Sequence, residues 1–156
     1  MTGWRISKRG YAHSPVSAFD GEGSRRRGGR WTPAGRRVAY ASTSLALASV
    51  EYFVNLDPAD APPDLVSLRV EITDNINIET VETEALPANW RHNPFPRELQ
   101  LIGEQWLSSG SSVCLLVPSA VIPEEFNILI NPVQADFKAL RFWEPVDFKF
   151  DPRMWK

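Results

Sequence analysis

The residue best placed for chemistry is a carboxylate in apolar company. Between Arg37 and Asp57 the only charged side chain is Glu51, in the middle of the apolar stretch from Leu45 to Asn55. On a helical projection its face also carries Ser44, Leu47, Ala48, Val54 and Asn55. A helix apolar nearly all round is normally buried, and a lone buried carboxylate is costly. Glu51 therefore either points into a cleft or meets a cationic partner. In a cleft it can stabilise developing positive charge or hydrogen-bond a hydroxyl. Against an arginine it only pins a loop.

Four further residues have the types and settings for binding. Arg30 lies in Gly28-Gly-Arg-Trp31, where glycines allow close backbone approach and a guanidinium can grip a phosphate with two parallel hydrogen bonds. An anionic, phosphorylated ligand fits this pattern; so does a solvated basic turn, since Arg25, Arg26 and Arg27 precede it. Tyr40 can stack on a flat ring and hydrogen-bond through its hydroxyl, although a tyrosine in an apolar strand also serves as ordinary core. Ser119 and Asn131 adjoin prolines at the ends of two apolar runs, where polar side chains either face a cleft or form turns. No nucleophile elbow, Walker loop, dinucleotide-binding glycine fingerprint or metal-ligand pair occurs, which sets aside the easily recognised hydrolases, kinases and dehydrogenases.

The elements that must position these residues follow from pattern. The segment from Gly21 to Gly35 holds five of the nine glycines and four arginines, and reads as a flexible cationic loop able to wrap an anion. Val38 to Ser42 suits a buried strand, and Ser42, Thr43 and Ser44 are N-cap candidates for a helix from Leu45 to Asn55 that stops before Asp57-Pro58. Val66, Leu68, Val70 and Ile72 alternate with Ser67, Arg69 and Glu71, the period of a strand with one face in the core and one in water. Thr73 to Pro96 shows no sustained period and is expected to be a long excursion with a turn or two. Glu98 to Leu107 places Leu99, Ile102 and Trp106 at helical spacing before Gly110. Val113 to Val117 and Asn127 to Ile130 read as two buried central strands, and Phe142 to Phe150 as an edge strand. The sum is an α+β domain with a mixed, mostly antiparallel sheet and few helices.

Composition bounds the rest. The 156 residues are read as one domain, 1–156, with 43% hydrophobic and 23% charged residues, a globular balance. Seventeen basic against nineteen acidic side chains leave a net charge of −2 and no general attraction for nucleic acid or anionic lipid. The single Cys114 and two histidines, His13 and His92, are too few for a disulfide or a zinc site, so no metal and no resident cofactor are expected. No apolar run resembles a signal peptide or a membrane span, and the expected location is the cytoplasm.

Order and spacing add a resemblance. Gly-Gly-Arg30-Trp, Tyr40 ten residues later in Val-Ala-Tyr-Ala-Ser, and Glu51 eleven residues further in Leu-Ala-Ser-Val-Glu resemble the RES-domain family. Trp4-Arg-Ile, Trp31-Thr-Pro-Ala-Gly35, Val117-Pro-Ser-Ala120, Asn127-Ile-Leu-Ile-Asn-Pro132 and Phe150-Asp-Pro-Arg153 extend it over nearly the whole chain. The resemblance implies an ADP-ribosyltransferase-like fold and a bacterial toxin that degrades NAD, paired with an antitoxin carrying an Xre-type helix-turn-helix. It implies Arg30, Tyr40 and Glu51 as the core site, Ser119 and Asn131 as NAD-binding candidates from the other side of the cleft, and a possible homodimer. The triple arginine Arg25 to Arg27 departs from the family pattern and leaves open which arginine holds the pyrophosphate.

On that reading, Glu51 stabilises the oxocarbenium character that develops on the ribose as nicotinamide leaves, Arg30 neutralises the pyrophosphate, and Tyr40 orients the nicotinamide ring. The acceptor stays open among water, inorganic phosphate as co-substrate, and a macromolecule. The nearest rival is mono-ADP-ribosylation of a protein. Transferases often carry a second acidic residue near the glutamate, and Ser49, two positions before Glu51, is not acidic. A third reading has Gly23 to Arg37 contacting RNA; the acidic net charge and the lack of a histidine near that loop count against it.

Overall fold

A computed structural model describes residues 1–57 and 62–155. The chain runs β1 (Thr2–Lys8), α1 (Glu22–Arg27), β2 (Ala39–Ser42), α2 (Leu45–Phe53), β3 (Leu65–Glu71), β4 (Ile78–Thr80), α3 (Arg97–Ser109), β5 (Cys114–Pro118), β6 (Phe126–Ile130), β7 (Arg141–Phe142) and β8 (Val146–Asp147). The strands form one sheet in the order β4-β5-β6-β2-β1-β3-β7, with β8 also pairing β3. Among the described residues every pairing is antiparallel except β4 with β5. This is the mixed, mostly antiparallel α+β architecture expected.

Both faces of the sheet are covered. Val66, Leu68 and Val70 of β3 meet Ala39 and Ala41 of β2 and Ile128 and Ile130 of β6 in one apolar cluster, closed by Phe19. On the opposite face α3 lays Leu99, Trp106 and Leu107 against Val38, Leu115, Val117 and Leu129, together with Trp31. Over the other half, Leu45 and Ala48 of α2 cover Ile6 and Leu65, joined by Phe148 and Phe150 from the tail. The second face of β3 is therefore not open to water as its alternation suggested: Ser67, only 8% exposed, lies on the same face as Leu65, which α2 and the tail aromatics cover, and its Oγ donates to the Val146 carbonyl.

Several expectations need correction. β1 was not read from the sequence, where Trp4-Arg-Ile served only as a motif: seven residues with one alternating pair, Trp4 and Ile6, give little periodic signal. The arginine segment is not simply a loop: Glu22 lies three and four residues before Arg25 and Arg26 and pairs with both, so one short helix forms between Gly21 (φ 71°) and Gly28 (φ 70°). The stretch from Thr73 to Pro96 is mostly irregular, as expected, but contributes the edge strand β4. The tail strand is split in two, because Pro145 has no N–H for the ladder; the Trp143 and Phe148 amides still reach β3 carbonyls on either side. Helix α2 is capped by Ser44, whose Oγ accepts from the Leu47 amide, and is regular to Phe53; Pro58 lies outside the described residues.

Candidate active site

The pairing between β1 and β2 consists of one register position, Trp4 opposite Ser42. Beyond it the guanidinium of Arg5 takes the place of a ladder bond, its Nη1 donating to the Tyr40 carbonyl at 2.8 Å. A cavity of about 620 Å³ opens along this gap, lined by Trp4 to Ile6 on one side and Tyr40 to Ser42 on the other, with Glu51 and Tyr52 of α2 above and Gly28 and Gly29 at the arginine segment. That volume lies within the range of roughly 300–1,000 Å³ typical of small-molecule sites.

Glu51 is oriented through one oxygen. Ser119 Oγ donates to its Oε1 at 2.7 Å and Asn127 Nδ2 donates to the same atom at 2.6 Å. Ser42 Oγ in turn donates to Asn127 Oδ1 at 2.7 Å, which fixes the orientation of that amide. Oε2 accepts no hydrogen bond from the described residues, and Glu51 forms no ion pair with them. The carboxylate therefore does not serve to pin the arginine segment. It is a half-buried acceptor with one oxygen tied and one left to the cavity.

Tyr40 is positioned through a buried hydroxyl chain, Ser24 Oγ to Thr32 Oγ1 at 3.1 Å and Thr32 Oγ1 to Tyr40 Oη at 2.9 Å. Burial pushes its phenol up to about 12, and the Thr32 hydrogen bond acts the other way, so the side chain is neutral at physiological pH. Gly29 is required here: a Cβ would lie 2.9 Å from Tyr40 Oη. That glycine makes room for the tyrosine, a role its sequence context did not reveal.

The other expected residues fall unequally. Ser119 is fully buried, donates to Glu51, and accepts from the Val121 and Ile122 amides. Arg30 lies beside the cavity rather than in its lining. Its Nη1 donates to the Trp90 and His92 carbonyls at 2.7 and 3.0 Å, its guanidinium lies over the Phe95 ring, and Nε and Nη2 have no hydrogen-bond partner among the described residues. Burial lowers its pKa, while the charge of Glu51 raises it. Asn131 is not brought to the cavity: it lies beyond the far end of β6 and its Oδ1 accepts from the Val133 amide, the turn-forming role. Asn127, four residues earlier, holds Glu51 instead. Arg25 and Arg26 are taken up by Glu22, whose carboxyl is held down at about 2 by hydrogen bonds from both. Arg27 forms no ion pair among the described residues and lines the cavity.

Fold and site together define an α+β protein with a mostly antiparallel sheet and an oriented carboxylate in a cleft between two parted strands. The RES domain model matches residues 2–151, and the chain belongs to the RES domain family. It is 36% identical to "Toxin Res" of Yersinia enterocolitica, covering 97% of each chain. It is 35% identical to the "Prs ADP-ribosylating toxin" of a Sphingobium species, covering 97% of this chain and 94% of that one. Its fold is shared with a chain of the M. tuberculosis MbcT–MbcA toxin-antitoxin complex, at a TM-score of 0.72 and 20% identity, over 99% of this chain and 86% of that one. The chain is thus a RES-domain protein related along its whole length to toxins.

Proposed function

We propose that this protein is the toxin of a toxin-antitoxin pair and that it acts by breaking the bond between nicotinamide and ribose in NAD. The observation that carries the chemistry is Glu51, held on Oε1 by Ser119 and Asn127 with Oε2 left to the cavity. A preorganised carboxylate of this kind stabilises the charge that grows on the ribose without having to reorient during the reaction.

The C1′–N1 bond breaks with its electron pair going to the nicotinamide nitrogen, so the cationic ring leaves neutral and needs no general acid. Water or inorganic phosphate then forms the new bond at C1′, water losing a proton to solvent. The Tyr40 ring guides the nicotinamide half, and Arg30 adds positive charge near the ligand through Nε and Nη2, which have no partner among the described residues. A cognate antitoxin, with an Xre-type helix-turn-helix, would silence the protein by covering the cleft, and a homodimer and a cytoplasmic location belong to the same proposal. No helix among the described residues is long and apolar enough to cross a membrane.

A second reading has a specific observation behind it, the 35% identity to a relative named as ADP-ribosylating. There a protein side chain replaces water at C1′. Ser49 speaks for the first reading: it is not acidic, and its Oγ is spent on the Leu45 carbonyl within α2. The deciding experiment is NMR of NAD incubated with the purified protein, with and without phosphate, beside mass spectrometry of added cell protein. Free ADP-ribose or its phosphate ester supports NAD destruction. Nicotinamide release only in step with a protein mass gain supports transfer.

A further inference from the structure

A second cavity of about 440 Å³ lies against the first. The two share Arg5, Asp20, Glu22, Gly23 and Arg27, and the smaller one continues to Tyr11, His13 and Ser17. Arg5 is the notable member of the shared wall. Among the described residues only its Nη1 has a hydrogen-bond partner, the Tyr40 carbonyl; its Nε is enclosed by protein without one, and its Nη2 is the donor left over. A guanidinium with Nη2 left without a partner takes an oxyanion as its natural partner.

The other charged groups of that wall are engaged elsewhere or stand apart from Arg5. Glu22 is occupied by Arg25, Arg26 and Arg37. Asp20 Oδ1 accepts from the Glu22 amide, and Asp20 acts on Arg5 through its charge without an ion pair. Arg27 is exposed and has no carboxylate partner among the described residues. Two guanidinium groups without ion pairs among the described residues therefore stand where the cavities meet.

We propose that the two cavities form one dinucleotide site: Arg5, with Arg27, holds the diphosphate at their junction, and the smaller cavity receives the nucleotide half remote from Glu51. This rests on the NAD reading above and makes Arg5 a substrate-binding residue that selects dinucleotides over mononucleotides. A diphosphate bound there would put one nucleoside toward Glu51 and the other toward Tyr11 and His13.

The test is calorimetric titration with ADP, a probe with a diphosphate and no bond to cleave, of the wild-type protein, Arg5→Gln and Tyr11→Glu. Tyr11 is 70% exposed at the rim of the smaller cavity, so its replacement leaves the core intact. One ADP should bind the wild type, and both variants should bind it about tenfold or more weakly. The kcat/KM preference for NAD over nicotinamide mononucleotide should fall in parallel. No binding to the wild type, or undiminished binding to Tyr11→Glu, overturns the proposal. So does undiminished binding to a folded Arg5→Gln; should that variant lose its cooperative melt, Tyr11→Glu decides alone. ADP binding that follows the prediction while NAD is left intact would sink the NAD-cleavage reading and keep the site.

Discussion

Ser119 Oγ donates to Glu51 Oε1 at 2.7 Å across 68 residues of chain, joining the start of the loop after β5 to the last turn of α2. The same oxygen accepts from the Val121 and Ile122 amides, so one fully buried hydroxyl shapes the loop and aims the carboxylate. Ser119→Ala should lower stability by about 1–3 kcal/mol, the range for leaving buried polar groups unsatisfied. It should also slow nicotinamide release by more than that stability loss explains at a temperature where the variant is fully folded. Urea melts and initial rates on one preparation measure both; wild-type rates in a destabilised variant would make Ser119 purely structural.

Gly103 lies inside α3, where helix propensity alone predicts that alanine would stabilise by about 1 kcal/mol. Contact predicts the reverse, because a Cβ there would stand 1.7 Å from the Trp31 carbonyl oxygen and 3.1 Å from Thr32 Cγ2. The obstacle is backbone and cannot rotate aside. Gly103→Ala should therefore destabilise by about 2 kcal/mol or more, as overpacked core sites do. A raised melting temperature would show that α3 does not press on the Trp31 segment this closely.

The legible parts of the sequence were those where local pattern and tertiary demand agree. Ser44 caps α2, Gly110 (φ 62°) ends α3, and the apolar runs of β5 and β6 are buried as read. Glu51 was legible because a carboxylate in an apolar helix has few explanations. Helix α1 was hidden because glycines bracket it and its six residues carry no apolar period. Asn127 and Asn131 share a strand parity, so periodicity cannot choose between them; the choice is made by register, since only Asn127 lies opposite Ser42. Arg5 was quoted only as part of a motif, and nothing local reveals that β1 and β2 pair at one position.

Acid should loosen the arginine segment first. Glu22 has its pKa lowered from 4.5 to about 2 by Arg25 and Arg26, so its contribution is complete above the unfolded value and is lost as pH falls from about 4.5 toward 2. NMR shifts of the residue 22–27 amides should move over that interval while those of β3 stay. In Glu22→Gln the interval should vanish. An unchanged acid transition in that variant would place the sensitive carboxylate elsewhere.

Tyr40 offers a ring to the cavity and a hydroxyl to Thr32. Tyr40→Phe keeps the ring and should retain most of the turnover, at a cost of about 1 kcal/mol in stability. Tyr40→Ala should lose turnover and leave a void beneath Gly29. Equal loss of rate in both would move the role to the hydroxyl, and equal retention would return Tyr40 to the ordinary core.

The most direct test of the central claim is nicotinamide release from NAD by wild type and Glu51→Gln, with melting curves for both. Glutamine keeps a carbonyl oxygen that can accept from Ser119 and Asn127 while removing the charge that faces the ribose. The variant should fold at least as stably as the wild type, since an amide avoids the desolvation of a half-buried carboxylate. Its turnover should fall on the order of 10²-fold or more, as when a preorganised electrostatic group is removed. A folded Glu51→Gln that releases nicotinamide at the wild-type rate would contradict the account.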